Sequence, residues 1–182
     1  MSNEGKWIKQ IQKKSDERAT NNLVALYYQQ IYSFVYAQTL NKEMSLDLTQ
    51  EIFISMLRSI HLFNGKRASF KTWLYKIAAN RVVDYFRSKY YKYERIMDSL
   101  KVIEVSENVD FTLELEYRDV IEKVTETINK LDSFSQQVIR LKLFSENTFA
   151  DIAKMLERPE ASVKTRYYSV MRTLKERMEG YW

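Results

Sequence analysis

Asp47 and Glu51 stand four residues apart in DLTQEIF, a spacing that puts two carboxylates on one face of a helix. Such a pair can begin a metal site or dock on a basic surface. The metal reading needs a third ligand, and the chain offers one histidine, His61, and no cysteine. His-pair and thiolate metal sites are thereby excluded, and a hydrolase built on a histidine base has only His61 to draw on. The sequence therefore predicts no metal, no cofactor and no catalytic residue.

The other polar constellations are of a different kind. In FKTWLYKIAANRVVDYFR, Asn80, Asp84 and Arg87 recur at i, i+4 and i+7, so a helix carries them together, while Phe70, Leu74 and Ile77 share a core-facing side. Asp84 is placed to hold Arg87 or Arg81, leaving Asn80 to bond outward. Just before this helix, LFNGKRASF sets Phe63 and Phe70 around a glycine turn with Lys66 and Arg67. Rings beside cations are what unstacked bases require: a π surface for the base and a charge for its phosphate. Near the C-terminus, Val163, Tyr167, Val170 and Leu174 point inward at helical spacing. Ser162, Lys164, Thr165, Arg166 and Tyr168 are left to face a partner. A helix of that kind suits the major groove of duplex DNA.

These residues need helices to position them, and the composition supplies little else. Three glycines and one proline in 182 residues leave long unpunctuated segments, so an all-α protein with short loops is expected. Hydrophobic residues at 45 % are enough for a packed core, and the net charge of +5 suits a polyanionic partner. Apolar periodicity predicts helices near 6–14, 20–40 and 46–60. A further helix starts after Ser69 as N-cap, and four more fall near 113–130, 134–144, 149–156 and 161–179. Asn64-Gly65 marks a turn, and Ser133 with Gln136 is read as a capping box. Pro159 separates the last two helices as a helix-turn-helix turn would. Between Glu104 and Glu122 the charge turns acidic and periodicity fades, which reads as a linker. The expected division is a tail at 1–17, a helical domain at 18–95, an acidic linker at 96–116 and a second helical domain at 117–182. No signal peptide and no apolar run of about 18 residues is evident, so a soluble cytoplasmic protein without membrane insertion is expected.

Taken together, these motifs resemble the bacterial RNA polymerase sigma factors of the extracytoplasmic-function (ECF) group. DLTQEIF and FKTWLYKIAANRVVDYFR resemble stretches of sigma region 2, and the segment from LDSFSQQVIRLKLF onward resembles region 4. The resemblance covers about 18–95 and 117–179. It implies a promoter-specificity subunit that binds core polymerase through its β′ clamp helices and β flap. It further implies promoter DNA as a second partner and an anti-sigma factor as a third. Asp47, Gln50, Glu51 and Arg58 match the polymerase-docking helix. Phe63, Lys66, Arg67 and Ser69, with Phe70 and Trp73 beside them, match the loop that receives a flipped −10 base. Asn80, Arg81, Asp84 and Arg87 match the helix facing the melted strand. Ser162, Lys164, Thr165, Arg166 and Tyr168 match the −35 recognition helix.

The chain departs from the family pattern where relatives commonly read L-G-I-P-x-G-T-V and it reads LERPEASV. Glu157 stands in place of a glycine suited to positive φ, and Ala161 in place of another. Ser169 stands where relatives often have arginine, and Arg172, one turn on, is in position to replace it. A stand-alone helix-turn-helix regulator, binding duplex DNA without polymerase, is the alternative; it leaves DLTQE and the aromatic loop without a task.

Overall fold

The computed structural model describes residues 3–66, 68–99, 114–145 and 147–178. Among these residues the chain is all α-helical, as expected. Helices α1 (Asn3–Lys14), α2 (Glu17–Thr39), α3 (Lys42–Ser59) and α4 (Phe70–Ser99) form the first half, with a 3₁₀ turn at Ile60–Leu62. Helices α5 (Glu114–Asn129), α6 (Ser133–Phe144), α7 (Phe149–Leu156) and α8 (Glu160–Met178) form the second.

Caps fix where the helices begin. The Asp16 carboxylate accepts the Ala19 N–H at 2.8 Å, and the Asn41 side chain accepts that of Met44 at 2.9 Å. Leu40, in the left-handed region, ends α2, so only Leu40 and Asn41 separate it from α3. Ser69 caps α4 as predicted, its Oγ accepting the Thr72 N–H at 3.1 Å. The cap of α6 lies one residue earlier than the sequence pattern places it. Asp132 accepts the Ser135 N–H at 3.1 Å and the Ser135 hydroxyl at 2.5 Å. A carboxylate outcompetes a hydroxyl at a helix N-terminus because it also meets the positive end of the dipole. Gln136, freed from the expected box, donates to the carbonyls of Asn129 and Leu131, both at 3.0 Å, and ties the end of α5 to α6.

Leu23, Ile31, Phe34 and Val35 of α2 meet Ile52 and Met56 of α3 and Leu74, Ala78 and Val82 of α4. The expected N-terminal tail is not free. Ile8 and Ile11 of α1 are buried in this core, and the Gln12 amide donates to the carbonyls of Ile60 (2.8 Å) and Phe63 (2.6 Å). The same apolar cluster runs on into the second half through Val138 and Leu141 of α6, Ile152 and Met155 of α7, and Val163 of α8. A smaller cluster of Ile128, Ile139, Val170 and Leu174 lies under α8. The two helical halves, whose packing the sequence left open, therefore pack on one another. The linker expected at 96–116 overlaps the last turn of α4 and the first of α5, and residues 100–113 lie outside the described ones.

Candidate nucleic-acid interface

On α3, Asp47, Gln50, Glu51 and Arg58 all face solvent, while Leu48, Thr49, Ile52, Phe53 and Met56 are buried. Ile54, 47 % exposed, sits among the four polar residues and gives this face an apolar centre. The sequence reading missed it, although its offsets of three and four from Glu51 and Gln50 put it on their side. Glu51 also does something unexpected: its carboxylate pairs with Arg81 of α4 at 3.0 Å. A residue expected to dock protein thus holds one expected to face DNA. Arg81 is consequently not held by Asp84. Asp84 and Arg87 are both exposed and form no ion pair with each other among the described residues.

The loop between the 3₁₀ turn and α4 is held from several sides. Asn64 Oδ1 accepts the Lys66 N–H at 3.0 Å, and Gly65 adopts φ +68°, the conformation that glycine tolerates best. Phe63 packs edge-on to Phe70 (centroids 5.4 Å apart) and tilted against Trp73 (5.4 Å). Phe63 and Trp73 are half-buried, with part of each ring outward. Phe70, expected both in the core and in the aromatic platform, is only 3 % exposed and touches Tyr27, Phe63 and Trp73. It supports the loop from below because the first turn of α4 faces α2 there. Lys66 and Ser69 are exposed at the loop surface; Arg67 lies outside the described residues.

Asn80 does not point freely outward. It is half-buried, and its Oδ1 accepts a hydrogen bond from Gln137 Nε2 of α6 at 2.7 Å. The sequence pattern could not give this contact, since the two residues lie in different halves.

Helix α8 is exposed and buried on the sides that the apolar spacing predicts. Ser162, Lys164, Thr165, Arg166, Tyr168 and Arg172 are exposed, while Val163, Val170 and Leu174 are buried. The preceding turn places Glu157 at φ 55°, in the left-handed conformation read from the missing glycine. The cations of this face are oriented by rings. The Arg158 and Arg166 guanidiniums both lie over Phe134, at 5.8 and 5.7 Å, and the Lys142 and Lys164 ammoniums over Phe149, at 4.9 and 6.0 Å. Lys164 is also paired with Glu160 at 2.7 Å, and Arg166 approaches Asp132 at 3.7 Å. Tyr168, 62 % exposed, leans on Tyr167 and Phe149. Arg158 and Lys142 were not singled out from the sequence; Arg158 lies in the turn before α8 and Lys142 on α6, and they meet this face only in the fold.

One buried cation was missed altogether. Arg140 of α6 is fully buried, donating from Nη1 to Gln38 Oε1 (2.8 Å) and from Nη2 to Asn129 Oδ1 (2.5 Å), with its guanidinium 4.7 Å from the Phe86 ring centroid. Among the described residues no three carboxylate, histidine or cysteine side chains gather as a metal site would need, and no helix is long and apolar enough to cross a membrane.

The described residues thus form an all-helical scaffold with a carboxylate-bearing face, an aromatic loop and a cation-lined second helix of a helix-turn-helix. The model of sigma-70 region 2 matches residues 23–90, which take in α3, the aromatic loop and the side of α4 just described. The chain is 31 % identical over 156 residues to the ECF RNA polymerase sigma factor SigX of Bacillus subtilis, covering 84 % of this chain and 80 % of that protein. It is 31 % identical over 183 residues to SigW of the same organism, covering 95 % of each. Among solved structures it resembles CnrH, seen in complex with the cytosolic domain of CnrY, with a TM-score of 0.63 at 17 % identity, covering 98 % of both chains. It also resembles RpoE of Bartonella quintana, seen in complex with the anti-sigma factor NepR, with a TM-score of 0.57 at 17 % identity, covering 88 % of this chain and 96 % of that one. The chain belongs to the ECF RNA polymerase sigma factors, the promoter-specificity subunits of that enzyme.

Proposed function

We propose that the division of labour is as follows. Asp47, Gln50, Glu51 and Arg58, with Ile54 between them, dock on core polymerase at the β′ clamp helices. Phe63, Lys66, Ser69 and Trp73, supported by Phe70, receive an unstacked −10 base, with Arg67 completing that loop. Asn80, Arg81, Asp84 and Arg87 line the path of the melted strand. Ser162, Lys164, Thr165, Arg166, Tyr168 and Arg172 read the −35 duplex, with Arg158 and Lys142 adding phosphate contacts, and the second half meets the β flap. The chain itself makes and breaks no bond; melting is driven by capture of unpaired bases and by phosphate contacts, and so weakens with salt. It works in the cytoplasm, where an anti-sigma factor restrains it, as NepR accompanies its sigma factor in the related structure.

The observation that supports this reading most is the segregation of α8. Its six expected contact residues are all exposed while its opposite face is buried, as a helix carried to a groove requires. The reading is tested by pull-down of purified core polymerase, followed by transcription from fragmented genomic DNA. Stoichiometric binding and discrete new start sites are expected. Asp47→Lys should reduce polymerase binding by about tenfold or more, since it reverses a charge at a docking face. Asn80→Ala should spare that binding and reduce open-complex formation. Duplex binding without polymerase association would favour the stand-alone regulator.

A further inference from the structure

We propose that Gln12 of α1 is a positioning residue for the aromatic loop, and that α1 braces that loop in the shape that receives a base. The inference rests on the −10 role given to the loop above. Gln12 lies ahead of residues 23–90, the span matched by sigma-70 region 2, so that match does not cover it.

The contact is a staple across one short turn. A primary amide carries two N–H donors on one nitrogen. Gln12 Nε2 donates to the carbonyls of Ile60, at 2.8 Å, and of Phe63, at 2.6 Å. Ile60 opens the 3₁₀ turn and Phe63 ends it, and the Phe63 N–H donates back to the Ile60 carbonyl at 3.1 Å. A 3₁₀ turn of three residues is weakly held by its own hydrogen bonds. A donor from outside that spans both ends fixes its pitch and the point where Phe63 leaves it. The Phe63 ring packs edge-on to Phe70 and tilted against Trp73, so holding the Phe63 backbone also sets the outward part of that ring.

Helix α1 reaches the same rings by a second route. Glu4 accepts a hydrogen bond from the Tyr27 hydroxyl, and the Tyr27 ring packs against Phe70 with centroids 5.6 Å apart. Phe70 in turn lies against Phe63 and Trp73. Glu4, Ile8, Ile11 and Gln12 share one helical face. The two isoleucines are buried and seat α1 on α2 and the 3₁₀ turn, while the two polar residues reach the loop backbone and, through Tyr27, the rings beneath it. A pocket whose rings are already placed captures a base more tightly, because no ordering is left to be done on binding.

The test compares the full wild-type chain with Gln12→Ala and Gln12→Glu. Glutamate keeps the shape of glutamine but presents only acceptors while ionised, and regains one donor when protonated. Two facing carbonyls raise its pKa above the ordinary glutamate value of about 4.3. Amide hydrogen exchange of the free chain, corrected for the intrinsic effect of pH, reads the loop. At neutral pH both variants should lose about tenfold in protection across residues 61–66, the size of one good net hydrogen bond, with α2 and α3 unchanged. As pH falls through the raised pKa, Gln12→Glu should regain protection and Gln12→Ala should not. In holoenzyme reconstituted with core polymerase, Gln12→Ala should bind polymerase as the wild type does and lower open-complex formation about tenfold at promoters mapped with the wild type. Should Gln12→Ala fail to fold, Gln12→Glu carries the test, since its two protonation states are compared in one protein. Unchanged loop protection overturns the staple. Protection lost evenly over α2, α3 and the loop, with no recovery of Gln12→Glu in acid, reduces Gln12 to a general stabiliser and overturns its positioning role. Lost loop protection with normal open-complex formation overturns the link to base capture. Failure of the −10 reading itself shows differently: Trp73→Ala, within the loop's own aromatic cluster, would then leave open-complex formation unchanged.

Discussion

The side of α4 that carries Asn80 and Arg81 and the outward side of α8 carry similar side chains that differ in burial. On α4, Asn80 and Arg81 are half-buried and taken up by Gln137 of α6 and Glu51 of α3. On α8 the six residues proposed to meet DNA are exposed, and the ion pairs of Lys164 and Arg166, to Glu160 and Asp132, lie at the surface. The difference follows from position. α4 packs against α2, α3, α6 and α7, so Asn80 loses water and finds a protein partner, whereas the Arg81–Glu51 pair lies at the surface as the pairs of α8 do. α8 lies at the rim, where a cation can be held by a ring and a weak surface pair and still be released at little cost. Asn80 is thus occupied on one helix, while the outward side chains of the other stay accessible.

The strongest way to break this comparison is to ask whether the halves are energetically one. Leu74 of α4 is fully buried in the cluster that continues into α6 and α7. Leu74→Ala should cost about 2–5 kcal/mol by removing buried methyl groups and leaving a cavity. If the halves unfold together, urea transitions followed by tryptophan fluorescence in a Trp182→Phe background, reporting Trp7 and Trp73 of the first half, and by circular dichroism should shift by the same amount. A circular-dichroism transition that splits, with its later part unmoved, would show two independent units and leave the occupied state of Asn80 without a thermodynamic basis.

How much of this was legible in the sequence follows the range of the interactions involved. The helices from α5 to α8 fall within a residue of the expected spans because apolar spacing and caps are local signals. The outward residues of α8 were legible for the same reason. The α1 packing was only half legible: the apolar spacing was visible, but the groove under the 3₁₀ turn that receives Ile8, Ile11 and Gln12 was not. Arg140 was invisible, since a lone arginine in an amphipathic helix reads as surface until another half of the chain covers it. Asn80 was placed on the right helix with the wrong freedom, because Gln137 lies 57 residues away. Glu157 was the productive exception: a missing glycine announced a left-handed backbone, and the structure has it.

A smaller effect probes how firmly the rim is held. Burial by itself would raise the Asp132 carboxyl, but hydrogen bonds from the Ser135 hydroxyl and N–H, with the charge of Arg166, outweigh it and hold the group below the usual carboxylate range. Asp132→Ala should cost about 1 kcal/mol through loss of the α6 cap. A depressed folded pKa means the ionised cap contributes fully above the unfolded value, near pH 4, and is lost as pH falls through the folded one. The stability gap between wild type and variant should therefore be flat at neutral pH and narrow in acid. A gap that widens in acid would mean that Asp132 acts through something other than its ionised cap.

The smallest expected effect bears on α8 alone. Glu160 stands in the first turn of α8, where its carboxylate favours the helix dipole and holds the Lys164 ammonium. It also puts a negative charge where DNA phosphates are expected to approach. Both partners are nearly half exposed, at 48 % and 44 %, so solvent screens the pair and it contributes little to the fold. Glu160→Gln should leave folding almost unchanged and strengthen binding to duplex promoter DNA by about two- to fivefold at low salt, as Lys164 turns from a carboxylate to a phosphate. The gain should be similar for matched and mismatched −35 sequences and should fade as salt rises, because a phosphate contact carries no base information. Weaker binding in this variant would show that Glu160 orients Lys164 for the groove. The contact residues of α8 would then be pre-arranged by their neighbours, as those of α4 are, and the contrast between the two helices would be one of burial alone.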